Sequence, residues 1–167
     1  MNDIETEQKA SSSAPSSDAA AVAVFALRSQ YIKDMSFENP RAPSIFLALN
    51  ESPQIDVAVN LTAKKLQDTL FELTLEISAR AIQEKTTLFL TDLSYGGIFE
   101  ARSIPEDALE QALLVQGAFL LFPYARRIIS DVTRDGGFPP LNLEPVDFFA
   151  LFMQNRSSDS PVSAPAA

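Results

Sequence analysis

Ten consecutive residues, Phe71-Glu72-Leu73-Thr74-Leu75-Glu76-Ile77-Ser78-Ala79-Arg80, place an apolar side chain at every odd position and a polar or charged one at every even position. Successive side chains of an extended strand point to opposite faces, so this segment has one face to bury and one to leave wet. A strand of this kind needs neighbours that hide the same face. Ile55, Val57, Val59 and Leu61 alternate with Gln54, Asp56, Ala58 and Asn60, which predicts a second half-buried strand before it. A third runs from about Thr86 to Tyr95. The odd-numbered Phe25, Leu27, Tyr31, Met35 and Phe37 describe a long first strand over about 24–37, with Ser29 and Lys33 as interruptions.

One-sided patterns are typical of antiparallel sheets, and no helical segment lies between these runs to make a parallel crossover. A four-stranded antiparallel sheet is the economical topology. Residues 39–53 contain Pro40, Pro43 and Pro53 and are too long for a tight hairpin, so a crossing loop is expected between the first two strands. That loop carries Ile45, Phe46, Leu47 and Leu49, an apolar content unusual for a surface connection.

Near Ser103 the hydrophobic period changes from two to about 3.6, which makes the chain α+β with strands first and helices second. Ser103-Ile104-Pro105-Glu106 has the form of a capping box with proline in the first turn, and Asp107 suits the positive end of the helix dipole. Leu109, Ala112, Leu113 and Leu114 continue the helix. Gly117 and Pro123 predict a break or kink before a second segment reaching about Arg134, which Gly136-Gly137 stops. A last helix is expected after Pro145, carrying Phe148, Phe149, Leu151, Phe152 and Met153. Residues 1–20 and 156–167 are rich in small and polar residues that bury too little apolar surface to offset ordering entropy. They are expected as mobile tails around one domain at 21–155.

Charge narrows the partners. Thirteen Lys and Arg stand against 22 Asp and Glu, a formal charge of −9, which is the wrong sign for nucleic acid or an anionic membrane surface and the right one for a cationic partner, including extended chains carrying Lys and Arg. The absence of Cys and His removes the commonest nucleophile, general base and soft metal ligands. No disulfide framework exists, and no metal or other cofactor is expected. Asp3, Glu5 and Glu7 occupy the region where a secretory signal carries positive charge, and charged residues or proline punctuate every hydrophobic run before the ~18–20 residues that span a bilayer. The expected location is the cytoplasm, without membrane insertion.

Three stretches together resemble the SecB family of export chaperones. They are Tyr31-Ile32-Lys33-Asp34-Met35-Ser36-Phe37-Glu38-Asn39-Pro40; Gly96-Gly97-Ile98-Phe99; and Leu121-Phe122-Pro123-Tyr124-Ala125-Arg126 followed by Pro140-Leu141-Asn142-Leu143-Glu144-Pro145-Val146-Asp147-Phe148. Their order and spacing match over roughly 25–155. The resemblance implies a four-stranded antiparallel sheet with helices packed on one face, assembling as a homotetramer, a dimer of dimers. It also implies a non-enzymatic, ATP-independent chaperone that holds unfolded preproteins and delivers them to the SecA motor.

The resemblance also assigns residues. Asp34 and Glu38 lie four apart in one strand and so share a face, as do Leu90 and Asp92 in another; in SecB-like proteins the corresponding surface binds the small, basic, zinc-carrying tail of SecA. Asp92 stands where relatives often have the longer Glu. The crossing loop and last helix imply a client groove, with Ile45, Phe46, Phe148, Phe149, Phe152 and Met153 as nearest candidates. Thr91, Leu93 and Tyr95, on the face opposite Asp92, are candidates for subunit contacts. Gly96-Gly97 predicts either a bend with positive φ or a close backbone approach, since it lacks the spacing of a phosphate loop. Two other functions compete: a dedicated secretion chaperone for one effector, and a hydrolase using Asp92, Glu72 or Tyr95 as acid or base, for which no motif supplies the geometry.

Overall fold

Each alternating segment is a strand, and each extends beyond its apolar pattern. The computed structural model describes residues 22–47 and 52–158, with β1 at Val24–Glu38, β2 at Gln54–Lys65, β3 at Leu70–Gln83 and β4 at Thr86–Arg102. They form one antiparallel sheet in the order β1-β4-β3-β2. β1 and β2 are therefore opposite edges, and the proline-rich connection between them crosses the sheet, with a 3-10 turn at Ser44–Leu47 on the way. Leu49 and the N-terminal tail region lie outside the described residues.

The register shows which side chains share a face. Leu73, Leu75, Ile77 and Ala79 of β3 stand opposite Gly97, Tyr95, Leu93 and Thr91 of β4, and these residues form the inner, buried face. On β1 the expected odd parity does not persist. Register shifts between Leu27 and Ser29 and between Ile32 and Asp34 reset the alternation twice, as a β-bulge does by adding one unpaired residue. Phe25, Leu27, Met35 and Phe37 face inward as expected, but between the bulges Ile32 takes the inner face, and Tyr31 turns to the outer one opposite Gly96.

β4 runs straight through Gly96-Gly97, so the pair marks close approach and not a bend. A Cβ at Gly96 would stand 2.6 Å from Tyr31 Cε2, and one at Gly97 2.7 Å from Leu121 Cδ2. The helical region then covers the inner face: α1 at Glu106–Gln111, a π-helical turn at Ala112–Gly117 and α2 at Ala118–Asp135 follow without interruption. The irregularity expected at Gly117 is this π turn, and α2 continues through Pro123. The predicted capping box does not form. Pro105 holds the N-cap position with no side-chain cap bond, which puts Ser103 too far back, and Ser103 instead turns the chain out of β4 at φ 54°. Gly136 and Gly137 end α2 as expected: Gly136 N–H bonds to Val132 O at 2.8 Å, and Gly137 has φ 88°.

The stretch Glu106–Asp135 is long and apolar enough to cross a bilayer by length and composition, but half of its most apolar window is buried within the fold. Leu113, Ala118, Leu121, Phe122, Ala125 and Ile129 pack on the sheet with Leu73, Leu75, Ile77, Leu93 and Phe99. The Thr133 hydroxyl, fully buried, donates to Ile129 O at 2.9 Å and accepts from Leu141 N–H at 2.9 Å, tying the returning chain to α2. That chain leads to α3 at Phe148–Ser158, whose first turn is capped by Asp147 Oδ1 accepting from Ala150 N–H at 2.9 Å. A second cluster, Ile45, Ala81, Leu88, Phe89 and Phe138, anchors the crossing loop against the end of the sheet.

Candidate functional site

The outer sheet face carries the residues assigned to partner docking. Glu38 pairs directly with Leu90, Ser36 with Asp92, and Asp34 with Ser94, so Asp34, Glu38, Leu90 and Asp92 lie on one face of two adjacent strands. Asp34, Glu38 and Asp92 are exposed and Leu90 is half-buried. Ser78, opposite Asp92 on β3, donates a 2.5 Å hydrogen bond to Asp92 Oδ1 and turns that short carboxylate toward β3. Beside it lies a depression of about 320 Å³ lined by Asp56, Ala58, Ser78, Arg80, Leu90 and Asp92.

The rest of the outer face is held by paired charges. Glu72 Oε1 accepts from the Tyr31 hydroxyl at 2.6 Å, and Lys33 Nζ lies 3.1 Å from both Glu72 oxygens. The Tyr31 bond first, and Lys33 with it, hold Glu72 below the usual carboxylate range against the opposing effect of burial; burial first, and Glu72 second, push Tyr31 up to about 12. Further along, Glu100 pairs with Arg28 and, at 2.7 Å, with Arg102. Glu72 and Asp92 face outward, whereas Tyr95 faces inward with its hydroxyl pushed up chiefly by burial, so these three do not converge on one substrate. Among the described residues no group of His, Cys, Asp or Glu is placed to hold a metal ion.

The helix side presents apolar surface. The six groove candidates divide: Ile45, Phe148 and Phe152 are buried in the subunit, while Phe46, Phe149 and Met153 are exposed. Phe149 and Met153 are four apart on α3 and share a face. Phe119, Leu120 and Tyr124 of α2 are exposed as well. Sequence reasoning missed these three, although the run Phe119–Tyr124 contains no polar residue before Tyr124 and is too continuous for one helix face to bury. A cleft of about 440 Å³ lies between β2 and α1, lined by Leu61, Lys64, Phe71, Leu109, Glu110 and Leu113 among others. Another, of about 250 Å³, is lined by Phe119, Phe122, Pro123, Arg126, Pro145 and Val146.

Thr91, Leu93 and Tyr95, the candidates for subunit contacts, are buried on the inner face under the helices, and Thr91 Oγ1 donates to Ser36 O at 2.9 Å. Their side chains are occupied within the subunit.

Comparison with known proteins agrees with this architecture. Residues 18–159 match the family model described as preprotein translocase subunit SecB. Proteins named protein-export protein SecB are similar over most of this chain: that of Sphingopyxis alaskensis is 45% identical over 128 residues, covering 77% of this chain and 74% of its own. Those of Afipia carboxidovorans, 42% identical over 144 residues (86% and 89%), and Bartonella quintana, 44% over 136 residues (81% and 86%), extend the match. Among solved structures, a SecB-like chaperone of Mycobacterium tuberculosis in complex with an antitoxin peptide superposes with a TM-score of 0.60 at 18% identity, over 74% of this chain and 88% of that one, which establishes a shared fold. With a family match over most of its length, the four-stranded sheet and the helical layer on one face, the chain belongs to the SecB family.

Proposed function

We propose that this protein is an export chaperone that takes up unfolded preproteins on exposed apolar side chains, without ATP, and passes them in the cytoplasm to the SecA motor. One observation carries the reading: in a chain of the SecB family, Phe119, Leu120, Tyr124, Phe149 and Met153 remain exposed on the helix side of a fully formed core. Each such site contributes at most ~1.5–3 kcal/mol when it fully buries a large client side chain, and less when burial is partial. Repeated along one surface and across the four copies of a dimer of dimers, weak sites gain by effective concentration. Folded proteins are passed over because their apolar side chains are already hidden, so selectivity needs no nucleotide switch.

Phe46, Phe149 and Met153 are the groove candidates with access to a client; Ile45, Phe148 and Phe152 support them from beneath. Asp34, Glu38, Leu90 and Asp92 form the docking face for the basic tail of SecA. Thr91, Leu93 and Tyr95 serve the assembly from inside, by holding the helical layer in place for subunit contacts. The working unit is taken as about residues 21–155 with a tail at each end. Titration calorimetry tests the reading: an unfolded client is expected to bind with a negative heat-capacity change and its folded form to give no signal. Equal binding of both forms rejects it. Solution mass, with and without client, tests the tetramer.

A further inference from the structure

Asp92 lies between two serines. In its row across the sheet it stands opposite Ser36 of β1 on one side and Ser78 of β3 on the other. Only Ser78 holds it: the Ser78 hydroxyl donates the 2.5 Å hydrogen bond to Oδ1, and Oδ2 has no partner among the described residues. An unheld carboxylate on an exposed strand turns about both of its side-chain bonds. This one is drawn to the β3 side, with one oxygen still free to accept, and there it lines the depression of about 320 Å³ together with Asp56, Ala58 and Leu90.

The charge around it is left uncancelled. Arg80 is the cation in that lining, but its Nη2 and Nε donate to Thr87 Oγ1 at 2.7 and 3.2 Å, which draws the guanidinium toward the hairpin end, and it makes no ion pair. The two ends of the outer face differ in this respect. Glu72 and Glu100 are paired with Lys33, Arg28 and Arg102, whereas Asp34, Glu38, Glu76 and Asp92 are exposed and have no cation among the described residues. The helices cover the opposite face of the sheet, so a particle joined through its helical layer leaves this face open.

We propose that Ser78 is a positioning residue for the docking face: by holding Asp92 on the β3 side, it sets where a Lys or Arg side chain of a basic partner segment lands. Asp92 receives the cation, and Leu90 and Ala58 lie beneath its aliphatic stem. This role rests on the docking reading of the outer face and adds to it a residue that carries no charge. A carboxylate already held in place loses less freedom when the cation arrives, so the complex lasts longer. The long-range field that speeds encounter is the same with or without the hydroxyl.

The test measures association and dissociation of SecA on the full chain at low salt. Ser78→Ala is expected to speed dissociation about three- to fivefold, the worth of one hydrogen bond, with the association rate unchanged. Ser78→Thr, which keeps a hydroxyl on a side chain suited to a strand, should restore slow dissociation. In an Asp92→Ala background Ser78→Ala should have no further effect. Dissociation that Ser78→Ala leaves unchanged or slows, or an equal effect in the Asp92→Ala background, overturns the positioning role. A fall in urea midpoint or a change in particle mass on Ser78→Ala also overturns it and assigns the serine to the fold. Weakened binding by Asp92→Lys with unaltered binding by Ser78→Ala loses only the role of Ser78, whereas Asp92→Lys that binds as tightly as wild type removes the docking reading itself.

Discussion

Tyr31 of β1 reaches over an intervening strand to Glu72 of β3: its hydroxyl donates a 2.6 Å hydrogen bond to Glu72 Oε1, although β4 lies between the two. Gly96 makes this possible. It pairs with Tyr31, and a Cβ there would stand 2.6 Å from Cε2 and 3.0 Å from Cζ, so the ring lies against bare backbone. Gly96→Ala is expected to lift the ring, break the bond and cost about 1–3 kcal/mol in urea unfolding. Tyr31→Phe should then lose its own cost of about 1 kcal/mol in the Gly96→Ala background. Undiminished stability of Gly96→Ala removes the argument.

The same contact predicts two pH limbs. Glu72 is held low, first by the Tyr31 bond, so its contribution to stability is present above the unfolded carboxylate pKa of about 4.3 and is lost as pH falls through the native value. Tyr31 is raised, first by burial, so its contribution is present below 10 and is lost as pH rises from there toward about 12. Tyr31→Phe should abolish its alkaline limb and move the Glu72 midpoint upward, as read by carboxyl NMR. A Glu72 midpoint that stays where it was assigns the effect to Lys33.

The β3–β4 hairpin is closed by two residues, Glu84 and Lys85, between the paired Gln83 and Thr86, and both have positive φ, at 47° and 73°. This is the form of a type I′ turn, which favours glycine at its second position. Lys85→Gly is expected to stabilise the fold by about 0.5–1 kcal/mol, because the left-handed conformation costs glycine nothing sterically. A lower urea midpoint for the variant counts against this geometry.

That turn shows where sequence reasoning stops. Alternation in β3 was legible because its odd-numbered face is buried from Phe71 to Ala81, and in β2 because the apolar Ile55, Val59 and Leu61 are half-buried between exposed neighbours; the change of period at Ser103 was legible because the helices bury one side against the same sheet. Glu84-Lys85 carries no turn chemistry, so the hairpin is imposed by the pairing of its strands. The bulges in β1 were invisible because each merely shifts parity, and an exposed Ile32 or an outward Tyr31 looks like noise in a single pattern. Apolar residues at the surface are hardest of all. Phe148 and Phe149 are adjacent and chemically identical, and only the packing of α3 on Phe122 separates the buried one from the exposed one.

That separation is itself testable. Phe148 is fully buried, with its ring 5.6 Å from Phe122, whereas Phe149 is 48% exposed. Phe148→Ala should cost about 3–5 kcal/mol of stability by leaving a cavity. Phe149→Ala should leave unfolding within about 0.5 kcal/mol of wild type and lower the affinity for an unfolded client. Equal losses of stability would place Phe149 in the core; unchanged client affinity would take it off the binding surface.

The outer face makes a prediction of a different kind, because its charges act over distance. Asp34 and Asp92 are exposed on adjacent strands, so each can be replaced without disturbing the inner core or the helices. If a basic tail docks here, Asp34→Lys or Asp92→Lys reverses the local field and should weaken SecA binding about tenfold or more at low salt, mainly through slower association. Particle mass should remain that of wild type. Exposed charges are screened over ~8–10 Å at physiological ionic strength, so added salt should weaken the wild-type complex and narrow its gap to the variants. Leu90→Ala supplies the control, since it alters contact area and carries no charge: its effect should persist at high salt. Variants that bind SecA as tightly as wild type at low salt would remove the docking assignment and leave client binding untouched.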